Sequence, residues 1–255
     1  MNVELEREGK IAIITLNRPR AFNSLDLTTF SEFHEKLVTF RDDPDLWVGI
    51  ITGAGRAFSI GADIREMLPS LKDNFSQGKA LPGTIMRGLE IYKPLIAAVN
   101  GLALGGGLEV MLACDIRIAS DKARFGLPEV NLGLMPGWGG TQRLPRTLSW
   151  CQAAELLFTG KMIDAQEAYR MGLVNLVVLQ EQVLTVAKEW AGAICQVAPL
   201  AVRAAKEAML KGSHLPLSQA LALEEALEAK LLDSKDFAEG LKAHAERRKP
   251  VYKAE

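Results

Sequence analysis

The sequence predicts an α/β protein, with a sheet-containing core at residues 1–195 and a helical region at 196–255. In the first half, short apolar runs typical of buried strands alternate with helical segments, and glycine-rich turns separate them. The second half carries apolar residues at helical spacing, punctuated by glycine and proline. The chain has 255 residues, 48% hydrophobic and 24% charged, which is enough to bury a large core and excludes a disordered chain.

The first predicted elements are the two strands of a hairpin. Residues 3–7 alternate polar and apolar side chains, Glu8 and Gly9 form a turn, and an apolar run follows at 11–16. A helix at 26–41 follows, with Ser24 as its cap. The rest of this half is predicted, in chain order, as a strand at 47–52, a glycine-rich turn at 53–61, a short helix at 64–68, a mobile loop at 71–83, a helix at 84–92, a strand at 95–99, a helix at 106–114 and a strand at 116–119.

The second half is predicted to be mostly helical. Six segments carry helical spacing, at 150–158, 165–171, 182–196, 200–210, 218–232 and 237–248. The apolar faces of a helical end of this size fit a second copy of the chain as well as they fit its own core. We therefore expect self-association.

Charge and cysteine content narrow the functional classes. Thirty Lys and Arg against 31 Asp and Glu give a net charge of −1, so the overall field does not attract nucleic acid or an anionic membrane. The three cysteines, Cys114, Cys151 and Cys195, do not suggest a disulfide framework or a structural zinc site. A charged N-terminal segment and the lack of an 18-residue apolar run predict no leader and no membrane span. A cytoplasmic protein is expected, or the mature form of an organelle-matrix protein.

Common cofactor and nucleophile motifs do not occur in the sequence. It contains no dinucleotide fingerprint, P-loop or nucleophile elbow, and its 3 histidines lie far apart. No cluster of His, Cys, Asp and Glu has metal-ligand spacing, so no metal is expected. The basic end at 243–253 is either a solvated helix end or an anion-binding tail.

Two glutamates stand alone in uncharged surroundings. Glu109 is the only charged residue between Lys93 and Asp115. Glu129 is the only charged residue between Arg124 and Arg143. An apolar setting raises the pKa of a carboxyl group toward the range useful for general acid or base catalysis. The alternative is a partly exposed helical glutamate in each case, and the sequence leaves both interpretations open.

Two glycine-rich turns between a strand and a helix provide the second candidate feature. They lie at 57–63 and 101–107. Glycines allow main-chain N–H groups to approach a ligand closely, and two such groups aimed at one oxygen form an oxyanion hole. Tight turns that serve only the fold would have the same glycine-rich sequence, so both interpretations stay open.

Four segments together resemble the crotonase (enoyl-CoA hydratase/isomerase) superfamily. They are Phe58-Ser-Ile-Gly-Ala-Asp63, Ala98-Val-Asn-Gly-Leu-Ala-Leu-Gly-Gly-Gly-Leu-Glu109, Phe125-Gly-Leu-Pro-Glu129 and Gly133-Leu-Met-Pro-Gly-Trp-Gly-Gly-Thr-Gln-Arg-Leu-Pro145. The likeness extends from Leu16 to Pro250. It implies a ββα spiral core with a helical C-terminal trimerisation region, commonly assembled as a dimer of trimers.

The resemblance also assigns roles to individual residues. Glu109 and Glu129 match the two catalytic glutamates, and Ala62 and Gly106 match the residues whose amides hold the thioester oxygen. Positions matching the coenzyme A site are Arg20, Ala21, Phe22, Ile60, Gly61, Asp63, Ile64 and Arg65. The family needs no metal or redox cofactor, because coenzyme A is part of the substrate.

Three residues depart from the usual family pattern. Ile60 replaces a small residue, which would narrow the coenzyme A channel. His244 stands where a phenylalanine is common, on a helix that often completes a neighbour's coenzyme A pocket. Trp138 stands where many members have a small residue; it either fills space or closes the acyl pocket in favour of short chains.

The activity implied is that of an enoyl-CoA hydratase in lipid metabolism. Water would add reversibly, with syn geometry, to a short-chain trans-2-enoyl-CoA such as crotonyl-CoA, giving a (3S)-3-hydroxyacyl-CoA. One alternative is another lyase or isomerase of the superfamily that acts on dienoyl- or branched enoyl-CoA. Another is a non-catalytic protein that binds coenzyme A or RNA, and the net charge of −1 counts against the RNA partner.

Overall fold

The computed structural model describes residues 1–255, except for the side chain of Phe75. Its strands are β1 (Val3–Glu8), β2 (Ile11–Leu16), β3 (Val48–Gly53), β4 (Ala57–Ser59), β5 (Leu95–Val99), β6 (Leu102–Leu104), β7 (Ile116–Ser120), β8 (Arg124–Gly126), β9 (Met162–Asp164) and β10 (Leu176–Val178). Its α-helices are α1 (Leu27–Asp42), α2 (Met67–Ser76), α3 (Gly106–Leu112), α4 (Gly140–Thr147), α5 (Trp150–Thr159), α6 (Ala165–Arg170), α7 (Val183–Ile194), α8 (Pro199–Gly212), α9 (Leu217–Leu232) and α10 (Lys235–Ala245).

The strands form two sheets. The larger has the order β1-β2-β3-β5-β7-β10, antiparallel only between β1 and β2, and the smaller has the order β4-β6-β8-β9. In the smaller sheet β4, β6 and β8 are parallel, whereas β9 runs antiparallel to β8. The turns that leave β4 and β6 are the two glycine-rich segments. Their strands are neighbours, so the sheet brings the two turns side by side.

Both faces of the larger sheet are covered by apolar side chains. Alternate residues of one strand point to opposite faces, so Ile13 belongs to one cluster and Ile14 to the other. The first cluster, on the α7 side, includes Ala187; the second, on the α1 side, includes Phe33. This double burial explains why β5 is apolar throughout and why the one polar side chain of β3, Thr52, donates its hydroxyl to the Ala98 carbonyl.

The C-terminal helices α8–α10 bury few of their own residues. Leu227 and Ala243 are buried, whereas Met209, Leu217 and Leu241 are largely exposed. The predicted α/β class and helical C-terminus are confirmed. The domain division after residue 195 and the trimerisation role stay predictions. Across the described chain, no helix combines the length and apolar character needed to cross a membrane.

Two helix predictions at 26–41 and 64–68 need revised ends. The cap of α1 is Asp26, whose Oδ1 accepts from the Thr29 amide at 2.7 Å; Ser24 uses its hydroxyl to donate to Asp63 instead. Helix α2 covers Met67–Ser76, so the predicted loop at 71–83 is helical over its first part. Met67 is buried on one face of this helix, whereas most of the polar residues after it are exposed. The glycine and proline residues in and around the segment made this helical pattern hard to recognise in the sequence.

Two other predictions differ from the structure. The helix predicted at 84–92 is wrong, because Thr84 and Arg87 exchange main-chain hydrogen bonds in a tight turn, with Gly88 at φ 81°. Helix α4 was not predicted, since it contains Pro145. The strands of the smaller sheet have 3 residues each, which is too short for alternation to reveal.

Candidate functional site

The Ala62 amide faces away from its own strand partner. Leu25 N–H donates to the Gly61 carbonyl at 2.7 Å, and Asp63 N–H donates to the Leu25 carbonyl at 2.9 Å. In this parallel bridge the residue between Gly61 and Asp63 must direct its N–H to the opposite side. The Ala62 amide therefore points away from Leu25, and it donates to no acceptor among the described residues.

The Gly106 amide lies beside it at the start of α3. The first amides of a helix have no partner within the helix, and the Gly106 N–H donates to no acceptor in the described part of the chain. A methyl group added to Gly61 would lie 2.4 Å from Gly106 N, so only glycine permits this approach. Gly61 also has φ 83°, which glycine adopts without strain. The two unpaired amides therefore lie on turns that contact each other, and the oxyanion hole implied by the family resemblance stays a prediction.

A charged cluster holds the segment that carries Ala62. The Arg18 guanidinium lies 2.9 Å from Asp26 and 3.5 Å from Asp63, and it donates to the Ser24 carbonyl at 2.7 Å. The Ser24 hydroxyl donates to Asp63 at 3.2 Å. Asp63 is thereby tied to the loop before α1, and the bridge that orients Ala62 is held from both ends.

Glu109 lies on α3, one turn beyond Gly106, and is 2% exposed. Its Oε1 accepts hydrogen bonds from the Trp138 amide at 2.8 Å and the Gly140 amide at 2.7 Å. Burial raises the pKa of Glu109, and these two amides oppose the rise, as does the more distant charge of Arg143. The two amides therefore fix the carboxyl group in position and reduce, without reversing, the effect of burial on its pKa.

Glu129 lies in a single helical turn, Pro128–Leu132, that follows β8. Its Oε2 is buried and has no hydrogen-bond partner among the described residues. Burial raises the pKa of Glu129 to about 7, and the negative charge of Glu109 contributes to the rise. A methyl group added to Gly105 would lie 3.1 Å from Glu129 Oε1, which places this carboxyl group against the second glycine turn.

The structure thus brings the four principal predicted residues to one place. The negative charge of Glu109 contributes to the raised pKa of Glu129, and both residues lie next to the turn that presents the Gly106 amide. Because the pKa of Glu129 is raised to about 7, this carboxyl group can hold a proton near neutral pH while its neighbour is ionised. Such a pair can take a proton from one atom and deliver a proton to another within the same site.

The two segments predicted to contact coenzyme A are also neighbours. Arg20 and Ala21 lie in the turn Pro19–Ala21, and the Phe22 carbonyl accepts from Ile60 N–H at 3.2 Å. Ile64 is exposed, and Arg65 N–H donates to Asp63 Oδ1 at 3.2 Å. Their contacts with coenzyme A stay predictions. His244 is exposed on α10, and its predicted role in a neighbouring subunit is likewise untested.

Sequence reasoning missed several groups that support the site. It did not identify the Trp138 and Gly140 amides, which hold Glu109, or Arg18, which holds Asp63. It also missed Arg56, whose guanidinium carbon lies 4.3 Å from the centre of the Phe22 ring. Main-chain donors leave no signature in side-chain identity. The only feature of the sequence that could have indicated the two amides is the glycine pair at 139–140, which follows an isolated tryptophan.

A metal centre has no obvious ligands. Among the described residues, no group of three His, Cys, Asp or Glu side chains is placed to hold a metal ion. The site instead consists of two carboxyl groups and two main-chain amides.

Comparison with known proteins places this arrangement in a family of acyl-CoA enzymes. The sequence pattern of the family described as enoyl-CoA hydratase/isomerase matches residues 6–255. The short-chain-enoyl-CoA hydratase of Clostridium acetobutylicum is 44% identical over 97% of this chain and 96% of its own. The (E)-benzylidenesuccinyl-CoA hydratase of Thauera aromatica is 41% identical over 99% of both chains.

Solved structures agree with the sequence relatives. The crystal structure of an enoyl-CoA hydratase from Bacillus anthracis superposes with a TM-score of 0.92, at 39% identity and with 100% of both chains covered. This chain belongs to the enoyl-CoA hydratase/isomerase family. The resemblance read from the four sequence motifs and the crotonase-like fold are confirmed.

Proposed function

We propose that this chain is an enoyl-CoA hydratase that adds water reversibly, with syn geometry, to short-chain trans-2-enoyl-CoA, crotonyl-CoA among them. The product is a (3S)-3-hydroxyacyl-CoA. The observation that carries the proposal is the pair of buried carboxyl groups, Glu109 and Glu129, beside the unpaired amides of Ala62 and Gly106. The near full-length similarity to a short-chain-enoyl-CoA hydratase supports it.

The two amides would act on the thioester oxygen. When water adds to Cβ of the enoyl group, electrons move through Cα and leave negative charge on that oxygen as an enolate. The N–H groups of Ala62 and Gly106 would donate to the charged oxygen more strongly than to the neutral one, so they lower the barrier. The Arg18 cluster contributes by keeping Ala62 oriented.

The two carboxyl groups would divide the proton transfers. Ionised Glu109, supported by two amides, takes a proton from water as the water oxygen bonds to Cβ. Glu129, whose pKa of about 7 keeps much of it protonated at neutral pH, donates its proton to Cα as the enolate collapses. Transfer of a proton from Glu109 to Glu129 restores the starting state, and one water has been added. These groups supply the whole reaction, so we propose that no resident cofactor is needed.

Loss of the enoyl absorbance of crotonyl-CoA tests this function. We expect activity in the unmodified chain, and a loss of about 10²–10⁴-fold in kcat in Glu109→Gln and in Glu129→Gln. Glu189→Gln changes an exposed glutamate on α7 and serves as the matched control, with unchanged activity. An inactive unmodified chain, or full activity in either active-site variant, would refute the proposal.

A second candidate is hydration or isomerisation of a larger, branched or dienoyl thioester. The similarity to a (E)-benzylidenesuccinyl-CoA hydratase favours keeping it. A panel of straight, branched and dienoyl-CoA substrates separates the candidates through their ratios of kcat/KM. Binding of RNA at physiological salt without turnover of any thioester would instead support a non-catalytic role.

We also propose that the chain assembles as a homotrimer or a dimer of trimers. The supporting observation is an apolar groove between α8 and α9 that includes the largely exposed Met209 and Leu217. Light scattering coupled to size exclusion should give three or six times the monomer mass of 27.8 kDa, and a monomeric mass would contradict the proposal. The cytoplasmic or organelle-matrix location stays a proposal, drawn from the odd number of cysteines.

A further inference from the structure

The indole of Trp138 lies directly on the second glycine turn. A methyl group added to Gly106 would lie 2.4 Å from Cζ3 and 2.5 Å from Cε3 of the indole, so the six-membered ring covers Gly106 Cα. Gly106 also supplies one of the two unpaired amides. The indole therefore borders the space next to those amides.

Trp138 is held both at its main chain and at its ring. The Trp138 amide donates to Glu109 at 2.8 Å, and the Trp138 carbonyl accepts from Arg143 at 3.2 Å. Arg143 in turn donates to two carbonyls at 85–86, which ties the loop to a second segment. The ring centre lies 5.2 Å from that of Phe30, a residue that is 3% exposed. The ring therefore has close packed neighbours and cannot yield freely.

We propose that the Trp138 indole is the wall that ends the acyl pocket and restricts this chain to short acyl groups. The inference rests on the proposed function, because it takes the thioester oxygen to lie on the amides of Ala62 and Gly106. From that oxygen, Cα and Cβ extend toward Glu109 and Glu129, and the carbons beyond Cβ meet the ring over Gly106.

The hydrogen bond between Trp138 and Glu109 adds a second effect of chain length. A long acyl chain fits only if the indole moves, and a movement that shifts the main chain of Trp138 also shifts the amide that donates to Glu109 Oε1. A long chain should therefore lower kcat as well as raise KM. Shortening the side chain removes the wall and leaves the amide in place.

The ratio of kcat/KM for trans-2-octenoyl-CoA to that for crotonyl-CoA tests the proposal. Measuring both substrates on the same preparation cancels the amount of folded enzyme and any general change in catalysis. We expect Trp138→Ala to raise this ratio at least ~10-fold, the effect of about one methylene group in an apolar pocket. Trp138→Phe, a milder change that protects the experiment if the alanine variant fails to fold, should raise it less.

Trp190→Ala is the matched control, since Trp190 lies on α7, on the opposite face of the larger sheet from the site. Its ratio should equal that of the unmodified chain. An unchanged ratio in both Trp138 variants would overturn the proposal.

The affinities of the saturated thioesters butyryl-CoA and octanoyl-CoA, measured by calorimetry, test the role of Trp138 independently of hydratase activity. If the chain hydrates no enoyl-CoA, the proposed function fails. The wall is still supported if the unmodified chain prefers butyryl-CoA and Trp138→Ala reverses that preference. Equal affinities in both proteins would overturn it.

Discussion

Gly61→Ala tests the proposed oxyanion hole by placing one methyl group against the Gly106 amide. The new Cβ would lie 2.4 Å from Gly106 N and 3.0 Å from both Gly106 Cα and the Leu104 carbonyl oxygen. These are main-chain atoms, so no flexible side chain can move aside. The turn must open, and the Ala62 and Gly106 amides must separate.

The stability cost of this substitution has two parts. A non-glycine residue at φ 83° costs ~1–2 kcal/mol, and overpacking against the main chain costs about 1–3 kcal/mol more. The expected loss in the free energy of unfolding is therefore roughly 2–5 kcal/mol. Loss of one amide from the thioester oxygen should lower kcat about 10²–10³-fold.

Gly172→Ala is a matched control for the backbone part of that cost. Gly172 has φ 81°, nearly the same as Gly61, but an added methyl group would meet nothing within 4 Å. Circular dichroism should show a loss of only ~1–2 kcal/mol in this control, and the crotonyl-CoA assay should show unchanged kcat. Wild-type kcat in Gly61→Ala, or an equal loss in Gly172→Ala, would refute the reasoning.

Three further predictions concern pH, the Arg18 cluster and the cap of α1. The pKa of Glu129 is about 7 in the folded chain against an ordinary 4.5, so the folded chain holds a proton that the unfolded chain has lost. Stability should therefore fall as the pH rises from about 4.5 to 7, and denaturation of Glu129→Gln at several pH values should show a smaller fall. Arg18→Ala leaves the carboxylates of Asp26 and Asp63 without their cation. Thermal denaturation should therefore show that the free energy of unfolding falls by about 1–3 kcal/mol. The value of kcat should change by a larger factor than KM. Asp26→Asn keeps a capping oxygen for the Thr29 amide, so it should retain more stability than Asp26→Ala, which loses ~1 kcal/mol from the cap alone.

Each of these predictions has a contrary outcome that is easy to recognise. The same pH dependence in Glu129→Gln as in the unmodified chain would remove Glu129 as its source. If Arg18→Ala changes neither stability nor kcat, the cluster does not orient Ala62. Equal melting temperatures for the asparagine and alanine variants at 26 would show that the cap contributes little.

The main elements were predictable where the pattern is long enough to read. The apolar runs of β2, β3 and β5 are buried on both faces and stand out from their polar surroundings. Strands of 3 residues, such as β4 and β6, carry no readable period, although they place both glycine turns. Their positions depend on pairing between distant segments, which local sequence does not encode.

The site residues were predictable to different degrees for physical reasons. Glu109 and Glu129 were visible because a charge in an apolar stretch is rare. Their proximity was not visible, because it depends on the smaller sheet and on the loop that carries Trp138. The pairing of Arg18 with Asp63 was equally hidden, since it joins residues 45 positions apart.

A double-mutant cycle on the two glutamates tests most directly whether they act on one water molecule. The measured quantity is kcat for crotonyl-CoA in Glu109→Gln, in Glu129→Gln and in the double variant, with folding checked by circular dichroism. If both carboxyl groups serve one proton-transfer unit, each single variant should lose most of the activity, and the double variant should be little worse than either. Losses that multiply in the double variant would show two independent groups and would contradict a shared water.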